Sequence, residues 1–247
     1  MSTSAEDVQP QSEKTSRWED YIDVFFSPRE LFQRRASDRI APPLITLVIA
    51  TIVVYVLMMP VNAEAMRAGM ADNPQAAEFM EQWGLLFQLF GALFAPVMMI
   101  VVTLWVAVLL WAAAKVTGID VDFKRGMLIA TYAAFIYLLG QLAGGIIVML
   151  TGGGTPDEMI RATSFGVVRF MGTEDVAPVA VQLLRRIDLF VFWQAAVWAI
   201  GLSVIGRVTF GRAIIAAMIA WIVYALPATL FAALGIMPGM DGPPPTT

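Results

Sequence analysis

Residues 83–114, "WGLLFQLFGALFAPVMMIVVTLWVAVLLWAAA", run for 32 positions without a charged side chain. A helix needs about 20 apolar residues to cross roughly 30 Å of hydrocarbon at about 1.5 Å per residue. The run is therefore too long for one span and short for two. Pro96 divides it. From Pro96 to Lys115 is 19 residues, roughly 28 Å of helix. The reading is thus one span that begins near Pro96 at a membrane face, preceded by an interfacial stripe of Met80, Trp83, Phe87 and Phe90. Splitting the run at Pro96 would leave pieces of about 14 and 18 residues, below the usual span length.

The rest of the chain agrees with a membrane as solvent. Of 247 residues, 58% are hydrophobic and 15% charged, with a mean hydropathy of +0.71, above the roughly 45 to 50% apolar usage of soluble domains. The fold class expected is all-α: a polytopic transmembrane helical bundle with amphipathic interfacial helices. Five spans are expected, near 42–60, 92–114, 126–150, 187–206 and 213–235, within a membrane domain of residues 42–236. Residues 1–20 read as a disordered polar tail without the apolar core of a secretory signal. Residues 61–82 read as a loop with four acids against Arg67. Residues 237–247 read as a flexible Pro/Gly tail.

Orientation follows from Lys and Arg. With five spans and the N-terminus inside, eleven cations lie on the cytoplasmic side and five outside; six spans would give ten against six. The five-span count with a cytoplasmic N-terminus is the better fit, although Arg161, Arg169, Arg185 and Arg186 fall outside. A multi-pass protein of a bacterial inner membrane is the expected setting.

In front of the first span stands "SPRELFQRRASDRIAPP", Ser27 to Pro43. Ser27, Pro28 and Glu30 form a helix-start signature with a capping box, and the helix is expected to run to about Ile40. Within 21–41 it reads as a cytoplasmic interfacial amphipathic helix, with Glu30–Arg34 and Arg34–Asp38 as i,i+4 pairs. Arg29, Arg34, Arg35 and Arg39 are the candidate lipid or partner contacts, their stems against acyl chains and their guanidiniums at phosphates. A docking surface for a cytoplasmic partner is the sharper form of the same reading. A second cap recurs in "TPDE", Thr155 to Glu158, outside.

Cysteine and histidine are both absent. That removes disulfides, thiolate and imidazole metal sites, and Ser-His or Cys-His nucleophile pairs. No cofactor, no metal site and no catalytic residue is expected, and the scattered arginines do not suit nucleic acid. Polar groups at bilayer depth are the informative positions. Gln141 and Gln194 lie within spans and Asp188 near the start of the fourth, so these three form the candidate intramembrane polar site. As glue they would bridge helices; with Tyr132 and Tyr137 around a void they would form a transport site. Asp188 also has Arg185 three residues before it. Gly140 and Gly144 make a GxxxG for close helix packing, within the chain or in a homo-oligomer. "TGGGT" lacks a P-loop ending and reads as a turn.

These features resemble the Yip family of membrane proteins, in its small prokaryotic branch. The resemblance rests on the helix before the first span, on "GIDVDFKRGMLIATYAAFIYLL" and "IDLFVFWQAAVWAIGLSVIGRVTFGRA", and on Ser27-Pro28, Phe123, Asp188, Phe190, Trp193 and Gly201. It implies a five-span, non-enzymatic protein that organises membrane or recruits protein partners. Eukaryotic Yip members are associated with Rab-type GTPases and vesicle traffic. Their Asp-Leu-x-Gly-Pro motif is absent here, and "FFSPRELF" occupies the comparable place. The alternative, read from the residues alone, is a small carrier or channel for ions, lipids or apolar solutes.

Overall fold

A computed structural model describes residues 18–69, 74–152, 155–172 and 176–234. The expected tail over 1–20 lies outside them except for its last three residues, and the 237–247 tail lies wholly outside. The described chain is a helical bundle; among the described residues the single β interaction is a Gly166–Asp188 bridge.

Two short helices, α1 (Asp20–Phe26) and α2 (Pro28–Arg35), come first. Then follow α3 (Ala41–Leu57), α4 (Met59–Gly69) and α5 (Pro74–Val116). The second half holds α6 (Phe123–Thr151), α7 (Pro156–Thr163), a 3-10 turn Val167–Phe170, α8 (Pro178–Leu184), α9 (Leu189–Gly206) and α10 (Phe210–Ala233). Four helices, α5, α6, α9 and α10, are each long and apolar enough to cross a membrane. The α3–α4 pair, bent by 56° at Met58, makes a fifth if it is one broken span.

α6 forms the centre. Nearly all its residues from Gly126 to Leu138 are buried, because α3, α5, α7 and α9 all pack against it. A helix apolar on every side is the sequence signature of such a position. Small residues set the distances. A Cβ at Gly201 of α9 would stand 2.8 Å from Ile129 of α6, closer than side chains pack, so glycine lets the two backbones approach.

The run that opened the sequence folds differently from its expectation. α5 is one helix of 43 residues with Pro96 inside it, about 64 Å of rise and twice the hydrocarbon thickness. Pro96 removes one backbone N–H but does not end the helix, as neighbouring helices in a membrane bundle allow. Of the expected stripe, Trp83, Phe87 and Phe90 are exposed. The segment 61–82, read as a loop, is helical in α4 and again from Pro74. Its charges stand at helical rather than loop spacing, and α4 lies against α5.

The N-terminal segment also differs. The expected helix does start at Pro28 with Ser27 before it, but it ends at Arg35, short of Ile40, and a further helix, α1, precedes it from Asp20. Ser27 makes no side-chain cap, because its own N–H already closes α1 by donating to the Asp23 carbonyl at 2.7 Å. By contrast Thr155 and Glu158 form the full reciprocal capping box at α7.

α1 and α2 make a hairpin laid along the bundle. Val24, Leu31 and Phe32 are fully buried. Tyr21 stacks near Phe135 at 5.2 Å, Phe32 meets Tyr132 edge-on at 6.2 Å, and Phe25 meets Trp193 at 5.8 Å. Tyr21 also donates to Thr46 Oγ1 at 2.8 Å, which ties the hairpin to α3. Trp193 stands 13 residues from the end of α9 at Gly206, about 20 Å along the helix. The hairpin therefore covers the flank of the bundle as well as its end.

Candidate functional site

Asp188 is the residue whose placement is clearest. It caps α9: Oδ1 accepts from the Phe190 N–H at 2.9 Å, while Oδ2 accepts from the Phe165 N–H at 2.6 Å, 23 residues away. Gly166 beside it pairs with the α9 entry as an isolated bridge, and a Cβ there would be driven into the Ile187 carbonyl. The carboxylate therefore fastens the segment after α7 to the start of α9. Both oxygens are engaged by backbone donors, which suits a structural acid better than a proton carrier.

Gln194 lies one and a half turns further along α9, and its amide donates to the Ala133 carbonyl of α6 at 3.4 Å. Gln141 projects from α6 with its side chain exposed. Together with Tyr137, these two glutamines line both of two adjoining cavities, of about 390 and about 300 Å³. The larger lies between α3, α5, α6, α9 and α10. It follows α6 from Ala130 to Gln141, about 16 Å of rise. Thr51 and Thr103 also face it, but each hydroxyl donates to a carbonyl of its own helix, at 2.8 and 2.7 Å. Methionine, valine, alanine and leucine make up most of the rest of its wall, with Tyr55, Asn62 and Tyr224 among them. The smaller cavity opens beyond the glutamines and is lined by Ser164, Gln182, Arg185, Arg186 and Asp188.

Of the five groups that a transport site was to gather, the structure brings Tyr137, Gln141 and Gln194 to one void and Asp188 to its outer end. Tyr132 is elsewhere, buried under Tyr21 and Phe32. Gly140 and Gly144 both face their own chain. A Cβ at Gly140 would lie 2.9 Å from the Phe190 ring, and one at Gly144 would lie 3.0 Å from Thr163 Cα.

The four candidate arginines divide into two pairs. Arg34 bonds Asp20 at 3.4 Å and also pairs with Asp23, while Arg35 bonds Asp20 at 2.8 Å and Asp38 at 3.2 Å. Burial pulls both guanidiniums down, but the hydrogen bonds and charges of these aspartates outweigh it and hold them above the usual arginine value. Arg34 thus turns to α1 instead of to Glu30. Arg29 and Arg39 remain exposed. Asp20, only 2% exposed in its side chain, had been read as part of the tail. Its signal was spacing: Asp20 and Val24 share a helical face that points into the bundle.

Between α6 and α9, Arg161 pairs with Asp157 at 2.9 Å, and Arg169 donates to the Ser164 carbonyl at 3.2 Å. Arg186 sits 5.3 Å over the Tyr224 ring. Burial, followed by the like charge of Arg186, holds Arg185 below its ordinary value, with Tyr137 and Asp188 acting in the opposite sense.

A bundle with apolar exteriors on its long helices, cations at the helix ends and polar groups gathered in an internal cleft defines an integral, multi-pass membrane protein in contact with the lipid bilayer. The Yip1 domain matches residues 22–232, and the chain belongs to the Yip1 family. No curated protein and no solved structure matches it.

Proposed function

We propose that this Yip1-domain protein is a non-enzymatic five-span organiser of the bacterial inner membrane that recruits protein partners through its N-terminal hairpin. The observation that carries the reading is the exposed face of α1. Trp18, Ile22 and Phe26 recur every four residues and are 61%, 47% and 80% exposed, while Val24, Leu31 and Phe32 hold the hairpin firmly beneath them. Arg29 and Arg39 add exposed cations. A rigid apolar stripe beside charge is the composition of a helix-docking surface. Asp188, the candidate intramembrane acid, serves the backbone, which also supports a role other than catalysis.

The test uses photo-crosslinking amino acids at Ile22 and Phe26 in intact cells. Discrete protein adducts, reduced at least fivefold by Trp18→Ser, are the expected result; adducts to lipid alone would remove the recruiting role. The same cells report topology. In this cysteine-free chain, single cysteines at Gln75 and Thr155 should react with an impermeant maleimide added outside. Cysteines at Ser37, Asp120 and Thr209 should not. Labelling at Asp120 and Thr209 would overturn the cytoplasmic N-terminus.

A second reading, a carrier for lipids or apolar solutes, is favoured by the cleft itself. Tyr137 and Gln141 of α6 and Gln194 of α9, which also donates to the Ala133 carbonyl, line a void between helices, as a binding site there requires.

A further inference from the structure

We propose that the cleft binds one anionic phospholipid, its phosphate held by Arg185 and Arg186 and one acyl chain laid in the cavity between α3, α5 and α6. This rests on the second reading above and names its ligand class.

Three observations meet here. The first is a polarity gradient along two adjoining cavities that share Tyr137, Gln141 and Gln194. The larger cavity is walled chiefly by residues such as Met98, Met99, Val102, Val106 and Leu138, with Tyr55, Asn62 and Tyr224 as its further polar members, and its threonine hydroxyls are satisfied within their own helices. At the neck stand Gln141 and Gln194. Gln141 has no hydrogen-bond partner among the described residues, so its amide is available to an ester carbonyl. At the outer end stand the two arginines. Chain, ester and phosphate of a glycerophospholipid present the same order of polarity.

The second is charge. Among the four outer cations, Arg161 has a carboxylate and Arg169 has backbone carbonyls. Among the described residues Arg185 and Arg186 have neither, Arg186 lying over the Tyr224 ring, and Asp188 beside them has both oxygens on N–H groups. Two adjacent guanidiniums against one engaged carboxylate leave a local excess of positive charge, which a phosphate diester neutralises with matching geometry. This also accounts for cations kept on the side where the distribution of Lys and Arg would not place them.

The third is depth. α9, which Arg186 precedes and Arg207 follows, is 18 residues long, about 27 Å of rise, close to the thickness of the hydrocarbon core. The pair therefore lies at headgroup level, and the cavity beneath it lies at acyl level. Gln141 and Tyr137, exposed on the flank of α6, leave the cleft open sideways to the bilayer.

The experiment titrates the delipidated full chain in detergent with phosphatidylglycerol or phosphatidylcholine and reads bound lipid by native mass spectrometry. Phosphatidylglycerol is expected to bind as a single molecule at least tenfold more tightly than phosphatidylcholine, and soluble glycerol phosphate is expected not to displace it. R185Q/R186Q should abolish the tenfold preference while a lipid still binds. M98W, which fills the cavity from a half-exposed position, should lose both lipids with the melting temperature unchanged. Equal affinity for the two lipids, or a preference that survives R185Q/R186Q, overturns the headgroup assignment and leaves the cleft reading intact. Displacement by glycerol phosphate overturns the acyl-chain half in favour of a free phosphate site. Undiminished binding in M98W places the lipid outside the cavity and removes the cleft reading as well.

Discussion

Phe32→Ala is expected to lift the N-terminal hairpin from the bundle and to accelerate labelling of a cysteine placed at Val24 by roughly a hundredfold. The ring is wholly buried and edge-on to Tyr132. Removing such a ring costs about 3 to 5 kcal/mol through lost contacts and the cavity left behind. Part of that is recovered where the freed helices find lipid, so about 3 kcal/mol of local opening free energy is the expected loss. At about 1.4 kcal/mol per tenfold change in population, that corresponds to the stated acceleration when labelling follows opening. Val24 is also wholly buried, and cysteine nearly matches its volume, so the reporter itself disturbs little. The transmembrane helices should hold together, with near-native detergent melting. An unchanged labelling rate would mean that the ion-paired base alone, Asp20 with Arg34 and Arg35, secures the hairpin.

Asp188→Ala is expected to release the segment after α7 from the start of α9 and to lower stability by about 3 kcal/mol. Two N–H donors, those of Phe165 and Phe190, lose an ionised acceptor. A hydrogen bond to a charged group contributes about 1.5 to 3 kcal/mol, and loss of an N-cap about 1. Asp188→Asn keeps one acceptor oxygen and the capping geometry, so it should fall between alanine and the native residue. Thermal unfolding in detergent, with proteolysis after Arg161 and Arg169 as local reporter, measures both. If alanine and asparagine were equally mild and proteolysis unchanged, the clasp would be dispensable. Gly166→Ala should give the same proteolytic pattern by another cause, since its Cβ would displace the Ile187 carbonyl.

The contrast between two caps shows where local reading succeeds. At Thr155 the residues that make the box, Thr155 and Glu158, need only each other, so four letters suffice. At Ser27 the same letters fail because the residue before Pro28 also closes the preceding helix, and that helix was not legible in a segment whose polar start resembles a tail. The fixed points in "IDLF" were readable as a cluster. Arg185 suggested an ion pair with Asp188, however, and the acid instead reaches a backbone N–H contributed from 23 residues upstream. No spacing along one helix could announce that partner.

Composition and apolar run length alone determined that this chain is an all-α, multi-pass membrane protein. The cost of unpaired backbone groups in hydrocarbon leaves long apolar segments no alternative to helix. They also supplied the residues of the polar site, because ionisable and amide groups at bilayer depth are few enough to enumerate. Tertiary structure decided which of them meet. Tyr137, Gln141 and Gln194 share a void while Tyr132 lies under the hairpin; Arg34 and Arg35 turn inward to Asp20 while Arg185 and Arg186 meet no carboxylate among the described residues at the mouth. These outcomes depend on how helices distant in sequence are rotated about their axes. Rotation is set by the summed packing of all the facing side chains, a property that no single helix encodes.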